Sequence, residues 1–114
     1  MTRFLVLYCV PSAVIEGWKR TAPETRGPAE AKMKAAWDDW MQAHAGTVNG
    51  TEAGGRTKRV ASDGISDIKN DVMLYAFAEA ESHDAAAQMF ADHPHLQIPQ
   101  ASIQVMEVRA MTGP

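Results

Sequence analysis

The chain is poor in cysteine, carries no excess of basic charge and contains no long apolar run. A single cysteine, Cys9, among 114 residues excludes an internal disulfide framework and a zinc knuckle, which needs at least two thiolates. Acids outnumber bases 14 to 11, for a net charge of −3. Nucleic-acid-binding domains are usually basic, so nucleic acid is not an expected partner. No stretch approaches the ~18 apolar residues of a membrane span, so a membrane is not expected either. The apolar run from Phe4 to Val10 is too short for a secretory signal, is stopped by Pro11 and precedes no clean cleavage site. It reads as a buried strand. G-x-G-x-x-G, G-K-[ST], a nucleophile elbow and C-x-x-C are all missing, so no cofactor is implied and nucleotide or serine-hydrolase chemistry lacks support. A reducing, cytoplasmic location is the expectation.

What is present is a globular composition, 46% hydrophobic and 22% charged, at the length of one domain spanning residues 1–114. Phe4 to Val10 predicts the first strand. Val14, Ile15 and Trp18 recur at helical spacing and predict a short helix from Ser12 to Arg20, and Thr21 to Gly27 reads as a loop. A long helix is expected from Pro28, with Met33, Ala36, Trp37, Trp40, Met41 and His44 on one stripe and a left-handed stop at Gly46. Val48 opens a short strand, and the glycines after it suggest a bend. Thr57 to Ser62 predicts an edge strand, Asp63-Gly64 a turn, and Ser66 to Asn70 a loop. Val72 to Ala78 is a further apolar strand. Ser82 caps a helix that buries Ala85, Ala86, Met89 and Phe90, and Ala101 to Met111 is the last strand. This order predicts an α+β fold, a ferredoxin-like antiparallel sheet with helices on one face.

Three strands are apolar on both sides: Phe4 to Val10, Val72 to Ala78 and Ile103 to Val108. A sheet with one face in water alternates apolar and polar residues. The helices suffice for one face, so a second copy of the chain is the expected cover for the other, with a ligand cavity between the two sheets. The partners expected are therefore a second copy of the chain and a small organic ligand.

The histidines are the leading candidates for chemistry. His95 is the acid–base candidate, held beside a cleft by Leu96 and Ile98. His93 reads as an exposed helix stop, and His93-Pro94-His95 as a metal pair only if Asp92 or Glu107 supplies a third ligand; no metal site is assigned. Asp63 either forms its turn or orients a histidine. His44 is a helix-end residue bonded to a carbonyl or part of a pocket. Trp37, Trp40 and Tyr8 are core residues or walls for a planar ligand. Arg109 either pairs with Glu107 on a strand rim or binds an anion.

The first strand, Ala36-Trp37-Asp38-Asp39-Trp40, Ala61-Ser62-Asp63-Gly64, the strand from Val72, Pro94-His95-Leu96 and Ser102-Ile103-x-Val105-x-x-Val108 together resemble the YCII-related family, from Arg3 to about Met111. That resemblance implies a dimeric α+β barrel. It also implies a histidine–aspartate pair for acid–base work, carried over here as His95 and Asp63. The chain departs from the family pattern in having Ala35 and Ala36 where many members have an early histidine, and Ile65-Ser66 after Asp63-Gly64. The reading is a small-molecule-binding protein with cofactor-free, lyase- or isomerase-like activity; a non-catalytic dimerisation module is the alternative.

Overall fold

The computed structural model describes residues 1–111. β1 (Thr2–Cys9) lies inside a four-stranded antiparallel sheet with β2 (Val48–Ala53), β5 (Val72–Ala80) and β6 (Ser102–Glu107), in the order β2-β5-β1-β6. Helices α1 (Ser12–Lys19) and α2 (Pro23–Ala43) connect β1 to β2, and α3 (His83–Met89) leads from β5 towards β6. This is the expected α+β, ferredoxin-like arrangement. Between β2 and β5 the chain inserts a separate two-stranded hairpin, β3 (Thr57–Ala61) with β4 (Gly64–Ile68).

Alternation along β1 sets the two faces of the sheet. Phe4, Val6 and Tyr8 are fully buried and meet Trp40, Phe90, Val48, Ala76, Ala78 and Ala86 on the helical side. Leu5 and Leu7 point the other way, where their register partners are Phe77 and Tyr75 on β5 and Met106 and Gln104 on β6. Each fully buried side chain of this size contributes about 1.5–3 kcal/mol through removal from water. The three alanines of β5, Ala76, Ala78 and Ala80, leave room for the aromatics that α2 and α3 lay over them.

The stripe expected on α2 is the one that packs: Met33, Ala36, Trp37, Trp40, Met41 and His44 are buried or half-buried and most of the residues between them are exposed. Its start is different. The helix begins at Pro23, which takes the first-turn position, and runs through Gly27 and Pro28. Pro28 lies inside the helix, where it removes the N–H that would bond to the Glu24 carbonyl, and the helix continues through it. The expected loop from Thr21 to Gly27 is therefore largely helix. The helix does not end in a left-handed Gly46; instead the N–H groups of Thr47 and Val48 close on the His44 carbonyl at 3.0 and 2.9 Å.

Positive φ falls at Gly50 (66°), inside the irregularity where β2 slips its register against β5, and at Gly64 (130°), after the Ser62–Asp63 turn. That turn makes the segment after it a strand, not the loop expected from Ser66 onward. On α3, Ala86 and Phe90 are buried and Met89 half-buried, but Ala85 is exposed, because the helix is short and only one edge meets the sheet. β6 ends at Glu107, four residues before Met111.

Phe90 is 2% exposed whereas Ile65 on the hairpin is 70% exposed. Phe90→Ala is expected to cost about 3–5 kcal/mol in urea unfolding, and Ile65→Ala no more than about 0.5 kcal/mol. Equal losses would show that the hairpin is part of the core.

Candidate functional site

The site grows from three consecutive residues, His93-Pro94-His95. Proline disfavours helical backbone at the residue before it, and His93 is extended, with φ −64° and ψ 138°. Pro94 then opens a single 3₁₀ turn, Pro94–Gln97. In this geometry the His93 ring caps the turn: its Nδ1 accepts the backbone N–H of His95 at 2.9 Å. The His95 ring reaches the end of β1, where its Nε2 lies 3.0 Å from the Cys9 carbonyl oxygen. Both histidines are almost wholly buried, at 1% and 0% exposure. The expectation of an exposed His93 is thus corrected. So is the anchoring role given to Leu96, which is 41% exposed; the two imidazoles hold this segment down instead.

These bonds fix the tautomers. A carbonyl can only accept, so His95 carries its proton on Nε2 and leaves Nδ1 as a bare acceptor. His93 accepts at Nδ1, so its proton is on Nε2. Neither His95 Nδ1 nor His93 Nε2 has a protein partner. Burial is the main cause of lowered basicity in both rings. It pushes His93 down to about 4, helped by His95 and His44 and opposed by Asp92. It also lowers His95, against the opposing pull of the Cys9 and Ser102 carbonyls. Both are neutral near pH 7.

An aromatic cluster surrounds them. Tyr8 lies 5.0 Å from Trp37, 5.1 Å from His93 and 5.4 Å from His95, measured between ring centres. Trp37 and Trp40 lie 4.3 and 4.4 Å from His93. The Tyr8 hydroxyl and Trp40 Nε1 are buried without a protein partner, and burial raises the Tyr8 pKa. Beside this cluster is a cavity of about 650 Å³ between α1, the first half of α2, the start of β5 and the His-Pro-His turn. His95 and Trp37 are in its wall, with Val14, Ile15, Trp18, Met33, Leu74 and Ile98. The cavity lies on the helical side of one chain, not between two sheets, with walls from α1, α2, β5 and the His-Pro-His turn.

The structure brings together His95, Tyr8, Trp37 and Trp40 from the expected residues. His44 sits at the edge of the group: its ring stacks on Trp40 at 3.8 Å, and its Nδ1–H donates to the Trp40 carbonyl at 2.8 Å. Asp63 is not brought to His95 within the chain. It occupies the tip of the hairpin, 81% exposed, 3.8 Å from Arg59. Arg109 follows β6, is 83% exposed and pairs with Glu107. Among the described residues no cluster of three His, Cys, Asp or Glu side chains can hold a metal, and no helix is long and apolar enough to cross a membrane. Trp18, Met33 and Ile98 are wall residues that sequence reasoning did not single out. Their spacing shows apolar faces, but not that the fold brings those faces round one cavity.

The fold and this site define a ferredoxin-like α+β protein with a histidine in the wall of an apolar cavity. No protein-family model and no curated protein matches the chain. Among solved structures it is similar to 5-chloro-2-hydroxyhydroquinone dehydrochlorinase from Burkholderia phenoliruptrix AC1100, in complex with 2,5-dihydroxybenzoquinone. The two share 12% identity over 99% of this chain and 96% of that one, with a TM-score of 0.54. At that identity the likeness establishes the fold.

A buried neutral histidine makes stability depend on pH. The native His93 titrates at about 4 and the unfolded one near 6.5. Above pH 6.5 neither form binds the proton and the stability is fully present; as pH falls towards 4 the unfolded state gains it first and stability is lost. The depression is equivalent to about 3 kcal/mol. Urea unfolding at pH 7.5 and 4.5 is expected to show the loss in the wild type and a shallower loss in His93→Gln. Equal pH dependence in both would contradict a buried neutral His93.

Proposed function

We propose that the chain is a small-molecule-binding protein of the YCII-related kind that carries out cofactor-free acid–base chemistry, of lyase or isomerase type, with His95 as the proton-transferring group. The observation that carries this reading is a neutral imidazole in the wall of a cavity of about 650 Å³, one nitrogen committed to the Cys9 carbonyl and the other without a protein partner. A general base needs a free lone pair and a fixed orientation; His95 has both, and because its ring is wholly buried in the cavity wall a substrate would reach it only when a neighbouring wall side chain moves aside. Here a backbone carbonyl does the orienting that a carboxylate such as Asp63 was expected to do. The volume is in the range of pockets that enclose small organic molecules. The similar solved structure is named a dehydrochlorinase and holds 2,5-dihydroxybenzoquinone, which favours a small planar ligand here. Trp37 and Tyr8 would then form the aromatic wall behind it.

The working unit in this reading is a homodimer closed through the bare sheet face, giving the dimeric α+β barrel. Leu5, Leu7, Tyr75 and Phe77 are half-buried there and Met106 is 51% exposed, without a helix over them. A contiguous apolar patch of this kind is normally an interaction surface.

Two measurements test these proposals. In a thermal-shift panel of phenols, aromatic acids and lactones, a ligand that binds the native state raises the midpoint with concentration. His95→Ala is expected to abolish that rise, and turnover of any hit should disappear with it. A panel with no shift, in a chain that still dimerises, would favour the interaction module. In sedimentation velocity, Phe77→Glu is expected to convert dimer to monomer while His95→Ala leaves the dimer intact. A wild type that is monomeric at high concentration would refute the barrel.

A further inference from the structure

The β3–β4 hairpin belongs neither to the core nor to the cavity wall. Its strands pair in unbroken register from Thr57 with Ile68 to Ala61 with Gly64, yet among the described residues they pack substantially against no other element. A two-stranded hairpin alone is marginally stable in water. This one is fastened at its root. Asn70 Nδ2 donates to Thr57 Oγ1 at 3.2 Å, Asn70 Oδ1 accepts the Val72 N–H at 2.9 Å, and Lys69 pairs with Glu16 of α1 at 2.9 Å. An arm already ordered in this way has little freedom left to lose when something docks on it.

One face of the arm is apolar at its centre. Val60 and Ile65 stand directly opposite each other in the register, so their side chains share that face. They are 76% and 70% exposed. The next pair on the same face, Lys58 and Asp67, is joined at 2.6 Å.

Charge and symmetry say what this face fits. The charged residues of the arm are Lys58, Arg59, Asp63 and Asp67, and both ion pairs close within it. An arm without net charge does not repel its own copy. A two-fold axis between two such faces, parallel to the strands, sets β3 of one arm over β4 of the other. Lys58 then lies over the partner's Asp67, and Val60 over the partner's Ile65. The face is thus complementary to itself in charge and in hydrophobicity. The arm springs from the end of the sheet where β2 stops and β5 starts, so an axis along the strands sends both arms out side by side.

We propose that the hairpin is an arm that packs against the same hairpin of a second copy of the chain, burying Val60 and Ile65 between them. This rests on the reading of the chain as a homodimer and adds a contact separate from the bare face of the sheet.

Sedimentation velocity over a dilution series measures the association. Val60→Thr with Ile65→Thr keeps the β-branched shape that strands favour and removes apolar surface. It is expected to weaken the dimer at least about tenfold. Both positions are exposed in the single chain, so the substitutions act on association and little on the chain's own fold. Lys58→Glu and Asp67→Lys each give an arm that repels its copy. Mixed at low salt, the two variants are expected to associate about threefold or more tighter than either alone. In the wild type, amide exchange over residues 57–68 should slow as the dimer forms with rising concentration. No gain on mixing would overturn the pairing of arm with arm. A wild-type dimer whose affinity survives the double threonine variant, and whose arm exchanges alike at both concentrations, would overturn the arm and leave the sheet-face dimer standing. If the threonine variant weakens association and Phe77→Glu does not, the arm stands and the sheet-face contact falls. A wild type that stays monomeric refutes both. Should the double variant fail to fold, amide exchange in the wild type decides.

Discussion

The hydrogen bond from the His95 ring to the Cys9 carbonyl joins residues 86 positions apart and holds the cavity's chemistry in place. It fastens the turn after α3 to the last residue of β1. It also fixes which imidazole nitrogen carries the proton, and hence which one remains as an acceptor. The bond depends in turn on Pro94, since an extended His93 is what allows one ring to cap the turn and the next to reach across to the sheet. A hydrogen bond in so dry a place is electrostatically stronger than one in water, and breaking it leaves two buried groups unpaired. The same three residues therefore determine local fold, tautomer and basicity together.

The sheet divides the molecule into two surfaces with different tasks. On the helical side, Phe4, Val6 and Tyr8 are sealed by Trp40, Phe90 and the small residues of β5. The seal stops short of α1, which contributes no buried residue of its own, and the cavity opens in that gap. On the other side the sheet keeps a row of apolar side chains and, among the described residues, no covering helix. The cavity lies among the helices, on the opposite side of the sheet from the bare face. A substitution on Phe77 need not reach His95, and the converse also holds.

Much of the framework was legible in the sequence because period and punctuation act locally. The two-sided apolar character of residues 4–10 and 72–78 marked central strands, and the stripe from Met33 to His44 marked the buried edge of α2. The misplaced helix start has a definite cause. Pro23 and Gly27 read as loop signals and Pro28 as the first-turn proline, but Pro23 takes that position and Pro28 lies inside the helix. The strand from Gly64 was hidden because residues such as Ser66 and Asp67 have weak strand propensity, and cross-strand pairs such as Lys58 with Asp67, at 2.6 Å, are invisible one residue at a time. His95 was singled out because Leu96 and Ile98 read as anchors of its segment, yet Leu96 is exposed and the ring itself is what is buried. The bond partner of His95 was not legible, because a backbone carbonyl has no sequence signature. The burial of His93 was missed for a related reason: polarity predicts exposure unless the fold supplies a partner, and here the partner is the N–H two residues on.

The distribution of unpartnered polar atoms bears on whether this core exists only for stability. Among the described residues, five buried side-chain atoms lack a protein partner: the Tyr8 hydroxyl, Trp40 Nε1, His93 Nε2, His95 Nδ1 and Thr51 Oγ1. The first four belong to rings in mutual contact around Tyr8 and His93. An unsatisfied buried polar group costs about 1–3 kcal/mol, and an apolar ring of the same shape would avoid the cost. Scattered, such atoms would read as imperfections of packing. Gathered behind one wall of a cavity, they leave three donors and one acceptor, His95 Nδ1, unpaired within a single cluster of rings. Local rules of core formation are broken most often where function requires it, and four of these five exceptions lie in the one ring cluster that includes His95, wholly buried in the cavity wall.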